Sequence, residues 1–288
     1  MLTLVLGLAA GCDKLGPGKD SPTAPSGPPA PGSTIVYDAV GASDADGVGS
    51  SVVCPPFVDC PNGTGYPQVA TRQLKALGFD VALTNLGIPT AVIGPDFQAL
   101  GQQFNRIILG NFITNEAPLV RTNATLVTIF AGGNEINTIT AALGGGAGAS
   151  DQAGYIDAQV KAFGTDYTTL LNGIRSRAGS AQIITLNVPN LAGFPFLAQA
   201  SPAERQAAQR AAVGMTKVVN ALVSQNVIVV DVMCDSRMYL TTNYSSDGFH
   251  PNDAGYAFIA GEIVRAVTSS AYPTPQNDCG FMSIVPNP

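Results

Sequence analysis

A chain of 288 residues with 45% apolar side chains can form one large domain or two small ones around a substantial core. Only 12% of the residues are charged, and 14 basic against 20 acidic residues give a net charge of −6. A sequence without an excess of basic residues offers no electrostatic surface for nucleic acid, so we expect no nucleic-acid partner.

The N-terminus has the pattern of an export signal. Its first eleven residues are apolar and too few to span a bilayer in the usual way. They lead into the letters LAAGC at residues 8–12, which resemble the lipobox of bacterial lipoproteins, where the cysteine is acylated and becomes the mature N-terminus. Residues 1–12 are therefore predicted to be a signal peptide, with Cys12 lipidated and the protein exported to the cell envelope. An ordinary cleaved signal peptide with an unrelated cysteine is the alternative.

The remaining cysteines suit an exported protein. Of five cysteines, all but Cys12 make an even set of four, enough for two disulfides. Pairing Cys54 with Cys60 would close a small Pro-rich loop, and pairing Cys234 with Cys279 would secure the C-terminal tail, although other pairings stay open. No Cys-x-x-Cys motif or His/Cys cluster indicates a zinc site, and we predict neither a metal ion nor a cofactor.

Residues 13–33 are dense in Pro, Gly and Ser. Such a composition cannot build a core, so this segment is predicted to be a flexible tether. The folded domain is predicted to span residues 34–288.

Apolar, largely β-branched segments predict five strands. They are, in chain order, Thr34–Val40, Phe79–Leu83, Leu126–Phe130, Ile183–Leu186 and Val227–Val232. Helical patterns lie between and after them, and the first places Val69, Ala70, Leu74 and Leu77 on one buried face. The others predict a helix with a core-facing stripe over residues 155–174, a helix over Pro202–Ser224 and a last helix that begins at Pro251. Strands that alternate with helices indicate a parallel sheet covered on both faces.

Polar or glycine-rich turns follow four of the predicted strands. Ser43 follows the first, Gly87 the second, Asn134 the third, and Asp247 with His250 the fifth. The carboxyl ends of parallel strands lie at one edge of a sheet, so these residues can converge on one crevice. His250 is the only histidine and therefore the only imidazole available for acid–base chemistry. Asp247, three residues earlier, could accept its Nδ1 proton.

The order of these turns resembles the SGNH (GDSL) hydrolase family from about residue 34 to about residue 269. The matching blocks are GAS at 41–43, NLG at 85–87, GGNE at 132–135 and DGFHP at 247–251. The resemblance implies a three-layer α/β/α sandwich with a five-stranded parallel sheet, the flavodoxin-like fold of that family. Ala42 and Glu135 depart from the pattern, because the family has Asp at both positions.

The resemblance also implies a role for each matching residue. Ser43 would be the nucleophile, His250 the base and Asp247 the residue that orients the base. The oxyanion hole would consist of the N–H groups of Ser43 and Gly87 and the side chain of Asn134. The implied function is hydrolysis of a small-molecule or lipid-like ester.

Three alternatives stay open at this point: an acyltransferase, a carbohydrate O-deacetylase, and a binding lipoprotein without catalysis. Leu191, Phe194, Pro195 and Phe196 follow the fourth predicted strand and could line an apolar groove. These side chains favour lipid-like or simple esters as substrates, although they would also suit ordinary packing.

Overall fold

The computed structural model describes residues 27–286. The lipidation predicted at Cys12, the signal peptide and most of the tether lie outside these residues. The first strand begins at Thr34, where the sequence places the start of the folded domain. Within residues 27–286, no helix combines the length and apolar character needed to cross a membrane.

A five-stranded parallel sheet forms the centre of the protein, in the order β2-β1-β3-β4-β5. Its strands are β1 (Thr34–Val40), β2 (Asp80–Asn85), β3 (Leu126–Phe130), β4 (Gln182–Leu186) and β5 (Ile228–Val230). Every residue of β3 is buried, because this central strand is covered on both faces. The order reverses between β1 and β3, and ligands of open α/β sheets bind in the crevice at such a point.

Helices cover the sheet in two groups. They are α1 (Ser43–Asp46), α2 (Tyr66–Ala76), α3 (Pro95–Gln103), α4 (Gly133–Gly144), α5 (Gln152–Arg177), α6 (Pro202–Asn220) and α7 (Asp253–Thr268). Helix α2 packs against α7, whereas α4 and α5 pack against α6. The predicted three-layer α/β/α architecture with five parallel strands is confirmed.

The predictions for the end of the first long helix and the start of the last helix were wrong. Leu77 is 57% exposed because it stands at the C-cap of α2, after the last turn of that helix. Helix α7 begins at Asp253 and not at Pro251, which forms a short antiparallel bridge with Tyr244. Asn252 caps the helix instead, since its side chain accepts from the N–H groups of the first turn.

The predicted disulfides are both present. Cys54 is bonded to Cys60, and Cys234 to Cys279, with a Cα–Cα distance of 5.9 Å in each pair. The second disulfide joins the loop after β5 to the C-terminal segment, 45 residues further along the chain. The expected two disulfides are confirmed, and among the connectivities that the sequence left open the structure has Cys54–Cys60 and Cys234–Cys279.

Candidate active site

Ser43 lies just beyond the carboxyl end of strand β1. The strand ends at Val40, and Ser43 is the first residue of the one-turn helix α1. Gly47, with φ of 78°, ends this helix in the left-handed conformation that glycine adopts readily. The tight strand–turn–helix connection leaves Ser43 only 6% exposed. A serine held in this way has a fixed direction of attack.

Ser43, His250 and Asp247 form a hydrogen-bonded chain. The Oγ atom of Ser43 is 2.8 Å from Nε2 of His250. On the other side of the ring, Nδ1 of His250 is 2.6 Å from Oδ2 of Asp247. The structure therefore brings together the three residues that the sequence places after the first and fifth strands.

The short loop around Asp247 fixes the carboxylate under the imidazole. Oδ1 of Asp247 accepts from the backbone N–H groups of Phe249 and His250 and from the hydroxyl of Ser245, at 2.8 to 2.9 Å. Burial alone would raise the pKa of Asp247, but the hydrogen bonds from His250, Phe249 and Ser245 together lower it to about 2. The carboxylate is therefore charged at any pH at which an imidazole is neutral.

Gly248 makes this loop possible. Its φ is 70°, and a Cβ atom there would lie 2.7 Å from the backbone nitrogen of Phe196. Only glycine tolerates both the left-handed backbone and the close approach. The spacing between Asp247 and His250 thus depends on a residue that contributes no side chain.

The two remaining predicted oxyanion residues lie beside the nucleophile turn. A Cβ atom on Gly87 would be 2.6 Å from the Cβ of Ala45 and 2.9 Å from the carbonyl oxygen of Ala42, so Gly87 packs directly against the turn. Its N–H donates to Oδ1 of Asn85 at 3.1 Å. Asn134 lies in the first turn of α4, and its Nδ2 donates one hydrogen to the carbonyl oxygen of Ala91 at 2.9 Å. The second Nδ2 hydrogen has no partner among the described residues.

Buried carboxyl groups hold the loops of the site, and the sequence analysis missed this function. Glu116 is fully buried, and its Oε2 accepts from the N–H of Gly41 at 2.9 Å. Asp46 accepts from Nδ2 of Asn85 at 3.0 Å. Burial raises the pKa of Glu116 well above its ordinary value and raises that of Asp46 to about 7. The supporting role of neither residue could be predicted from the sequence, because the partner of each lies on a distant segment.

Glu135 explains one departure from the family pattern. Its carboxylate accepts from the N–H of Gly132, at the start of the same helix, at 2.8 Å, and also from the N–H of Ile93. The longer side chain thus caps α4 and reaches across to the loop after β2. Burial raises the pKa of Glu135 to about 7. The glutamate that stands where the family has aspartate therefore supports the loop after β2. Asn134, next to it, lines the cleft.

A cleft of about 500 Å³, including the part open to solvent, adjoins the Ser43–His250 pair. Most of its lining side chains are apolar. They include Phe112, Phe130, Leu191, Phe194, Met238 and Phe249, with Asp44, Asn134 and Glu135 as polar members. Phe196 packs against Phe249 with ring centroids 5.2 Å apart and is 45% exposed. Of the residues predicted to form a groove, Leu191 and Phe194 line the cleft, whereas Pro195 and Phe196 do not.

A family model and several solved structures match most of the chain. The family described as GDSL-like Lipase/Acylhydrolase matches residues 39–258, a range that contains every residue of the site. Among curated protein sequences, none matches the chain.

Solved structures show the same fold. A lipase from a goat rumen metagenome is similar with a TM-score of 0.56 at 19% identity, over 81% of this chain and 97% of that one. Phospholipase A1 from Streptomyces albidoflavus has a TM-score of 0.53 at 16% identity, over 82% and 99%. An acetylxylan esterase from Geobacillus stearothermophilus, solved as a catalytic mutant, has a TM-score of 0.50 at 17% identity, over 84% and 98%.

Proposed function

The chain belongs to the GDSL-like Lipase/Acylhydrolase family, whose members are ester-hydrolysing enzymes, and from that premise we propose a serine esterase that works through an acyl-enzyme. One observation carries the proposal: His250 lies between Ser43 Oγ at 2.8 Å and Asp247 Oδ2 at 2.6 Å. This is the arrangement in which an imidazole activates a hydroxyl group.

The reaction follows from the direction of these hydrogen bonds. With the proton of His250 on Nδ1, the Ser43 hydroxyl donates to Nε2, and Oγ loses its proton to the ring as it attacks the ester carbonyl carbon. The imidazolium then protonates the departing alcohol, and an acyl group remains on Ser43. Water repeats the cycle with His250 as base, which releases the carboxylic acid and restores the serine.

The oxyanion needs hydrogen-bond donors at the same edge of the sheet. The N–H of Ser43, the N–H of Gly87 and the second hydrogen of Asn134 Nδ2 are the donors we propose. Gly87 would exchange its bond to Asn85 for one to the developing charge, which is a stronger acceptor. Each donor that strengthens its bond in the transition state lowers the barrier by about 3 kcal/mol.

The apolar lining of the cleft supports an ester with an apolar acyl group as substrate. A panel of p-nitrophenyl esters graded by chain length, with acetylated xylan included, tests this. We expect turnover of medium-chain esters to exceed that of acetylated sugar. Labelling by a fluorophosphonate at a serine other than Ser43 would contradict the mechanism.

Asn134 is predicted to stabilise the transition state by a hydrogen bond to the oxyanion. Asn134→Ala should lower kcat by about a hundredfold with little change in KM, because the bond to the oxyanion strengthens only as charge develops. Steady-state kinetics on a p-nitrophenyl ester measures both constants. The control is Asn115→Ala, since Asn115 forms its hydrogen bonds in the loop before β3, to Asn111 and Thr114. An unchanged kcat with a lower melting temperature would show instead that Asn134 only stabilises the fold, through its hydrogen bond to the carbonyl oxygen of Ala91.

We also propose that Cys12 is acylated and that the tether of residues 13–33 joins the domain to a bacterial cell envelope. The support is the LAAGC sequence at residues 8–12. Mass spectrometry of the mature N-terminus is expected to show a lipid-modified Cys12. An intact Met1, or cleavage elsewhere with a free Cys12 thiol, would contradict the proposal.

A further inference from the structure

Asp44 is the one acidic residue of the nucleophile turn whose carboxylate has no hydrogen-bond or ion-pair partner in another described residue. It follows Ser43 in α1, is partly buried and lines the cleft. Its neighbour Asp46 is hydrogen-bonded to Asn85, and Asp38, in β1, forms an ion pair with Arg121 at 2.6 Å. Within residues 27–286, no other residue donates a hydrogen bond to the Asp44 carboxylate or forms an ion pair with it. Apart from its own backbone N–H, the Asp44 carboxylate is thus available to bind a substrate group.

The catalytic base does not use Asp44. Both ring nitrogens of His250 already have partners, with Nε2 at Ser43 and Nδ1 at Asp247. The imidazole therefore has no hydrogen left for a second carboxylate. Asp44 interacts with His250 only through space, and the loss of Asp44 would leave the hydrogen-bonded chain of Ser43, His250 and Asp247 in place.

Apart from His250, no cationic side chain is described beside Asp44 in the cleft, whereas aromatic rings are. None of the described residues that line the cleft is a lysine or an arginine, whereas Phe112, Phe194 and Phe249 are among them. Burial raises the pKa of Asp44, His250 opposes that shift, and Asp247 adds to it. Only His250 and the residue's own backbone N–H favour the charged carboxylate, so a substrate cation would stabilise it further.

We propose that Asp44 makes the cleft selective for esters that carry a cationic ammonium group close to the ester bond. The proposal rests on the esterase function proposed above and adds a substrate class to the same site. A quaternary or protonated amine would pair with the carboxylate and lie against the aromatic faces, which attract cations. A neutral hydroxyl could form one hydrogen bond but would bring no opposite charge to Asp44, and an anionic substrate would be repelled.

Matched pairs of esters test the proposal with the full chain. Acetylthiocholine and 3,3-dimethylbutyl thioacetate differ in a single atom of the leaving group, a positively charged nitrogen in the first and a neutral carbon in the second. The p-nitrophenyl esters of 4-(trimethylammonio)butanoic and 5,5-dimethylhexanoic acid place the same difference on the acyl side. In at least one pair, we expect kcat/KM of the cationic ester to exceed that of the neutral ester by about tenfold or more. This ratio corresponds to the free energy of a partly desolvated contact of a cation with a carboxylate and an aromatic ring.

Asp44→Asn should bring that ratio close to one, because the amide has nearly the same shape without the charge. Asp59→Asn is the matched control: it removes the same charge from an exposed aspartate that does not line this cleft, and it should keep the parent ratio. A second measurement needs no variant. Tetramethylammonium chloride should competitively inhibit hydrolysis of the neutral ester, whereas sodium chloride at equal ionic strength should not.

Three results would overturn the proposal. Equal kcat/KM within both pairs would show that the cleft does not recognise a cation, while hydrolysis of the neutral ester would leave the esterase function standing. A loss of kcat/KM in Asp44→Asn that is equal for charged and neutral esters would assign Asp44 to support of the imidazolium ion. Absence of turnover on every ester, with no fluorophosphonate labelling of Ser43, would remove the esterase function itself and the selectivity with it.

Discussion

Ser43→Ala is expected to lower kcat by about four to six orders of magnitude and to leave the fold intact. The substitution removes the nucleophilic hydroxyl but keeps the backbone N–H of Ser43 that is proposed to bind the oxyanion. The loss of one oxygen atom from a nearly buried position creates no large cavity. The effect on stability should therefore be small beside the effect on turnover.

Single-turnover and steady-state assays on a p-nitrophenyl ester measure the loss, with a thermal melt to verify the fold. Ser51→Ala is the matched control, because Ser51 lies eight residues further on, in the loop after α1, and its hydroxyl donates to Asp253 outside the triad. It should retain kcat within about threefold. An Ser43→Ala enzyme with normal turnover and a normal melting temperature would contradict the assignment of the nucleophile.

The sequence predicts the central strands well because their signals are local. Strands β1 and β3 have the predicted bounds, since each is a run of apolar and β-branched residues that polar or glycine residues delimit. Helix α3 and the π-helical turn at Phe112–Glu116 had no comparable signal. They form in a long connection whose conformation depends on contacts with residues far away in the sequence, such as the bond from Gly41 to Glu116.

The site also contains some residues that can be predicted from local sequence and others that depend on distant contacts. The positions of Ser43, Asp247 and His250 follow from the sequence, because strand ends and a single histidine limit the choice. The support of the loops could not be predicted, since Glu116 and Glu135 accept from backbone N–H groups of other segments and Asp46 from the side chain of Asn85. A carboxyl group that is buried by tertiary packing looks like any other acidic residue in the sequence. Only the fold shows which acids are paired and which, like Asp44, are not.

His250→Ala is expected to reduce kcat by about the same four to six orders of magnitude, and Asp247→Asn by about four. Without the imidazole, no group in the described part of the chain is placed to take the proton of Ser43. With asparagine at 247, the ring loses the charged acceptor at Nδ1 and can present the wrong tautomer to the serine. The pKa of Asp247, about 2, implies that the carboxylate holds the tautomer throughout the working pH range.

The two residues should act as one unit, and the double variant tests this. His250→Ala combined with Asp247→Asn should be no slower than His250→Ala alone, because Asp247 works only through the ring. Steady-state kinetics of the parent, both single variants and the double variant measure the coupling, with Asp59→Asn as the control for loss of one acidic charge. Additive losses in the double variant would mean that Asp247 acts independently of His250. Full esterase activity in His250→Ala would exclude the triad, because the chain has no second histidine to replace it.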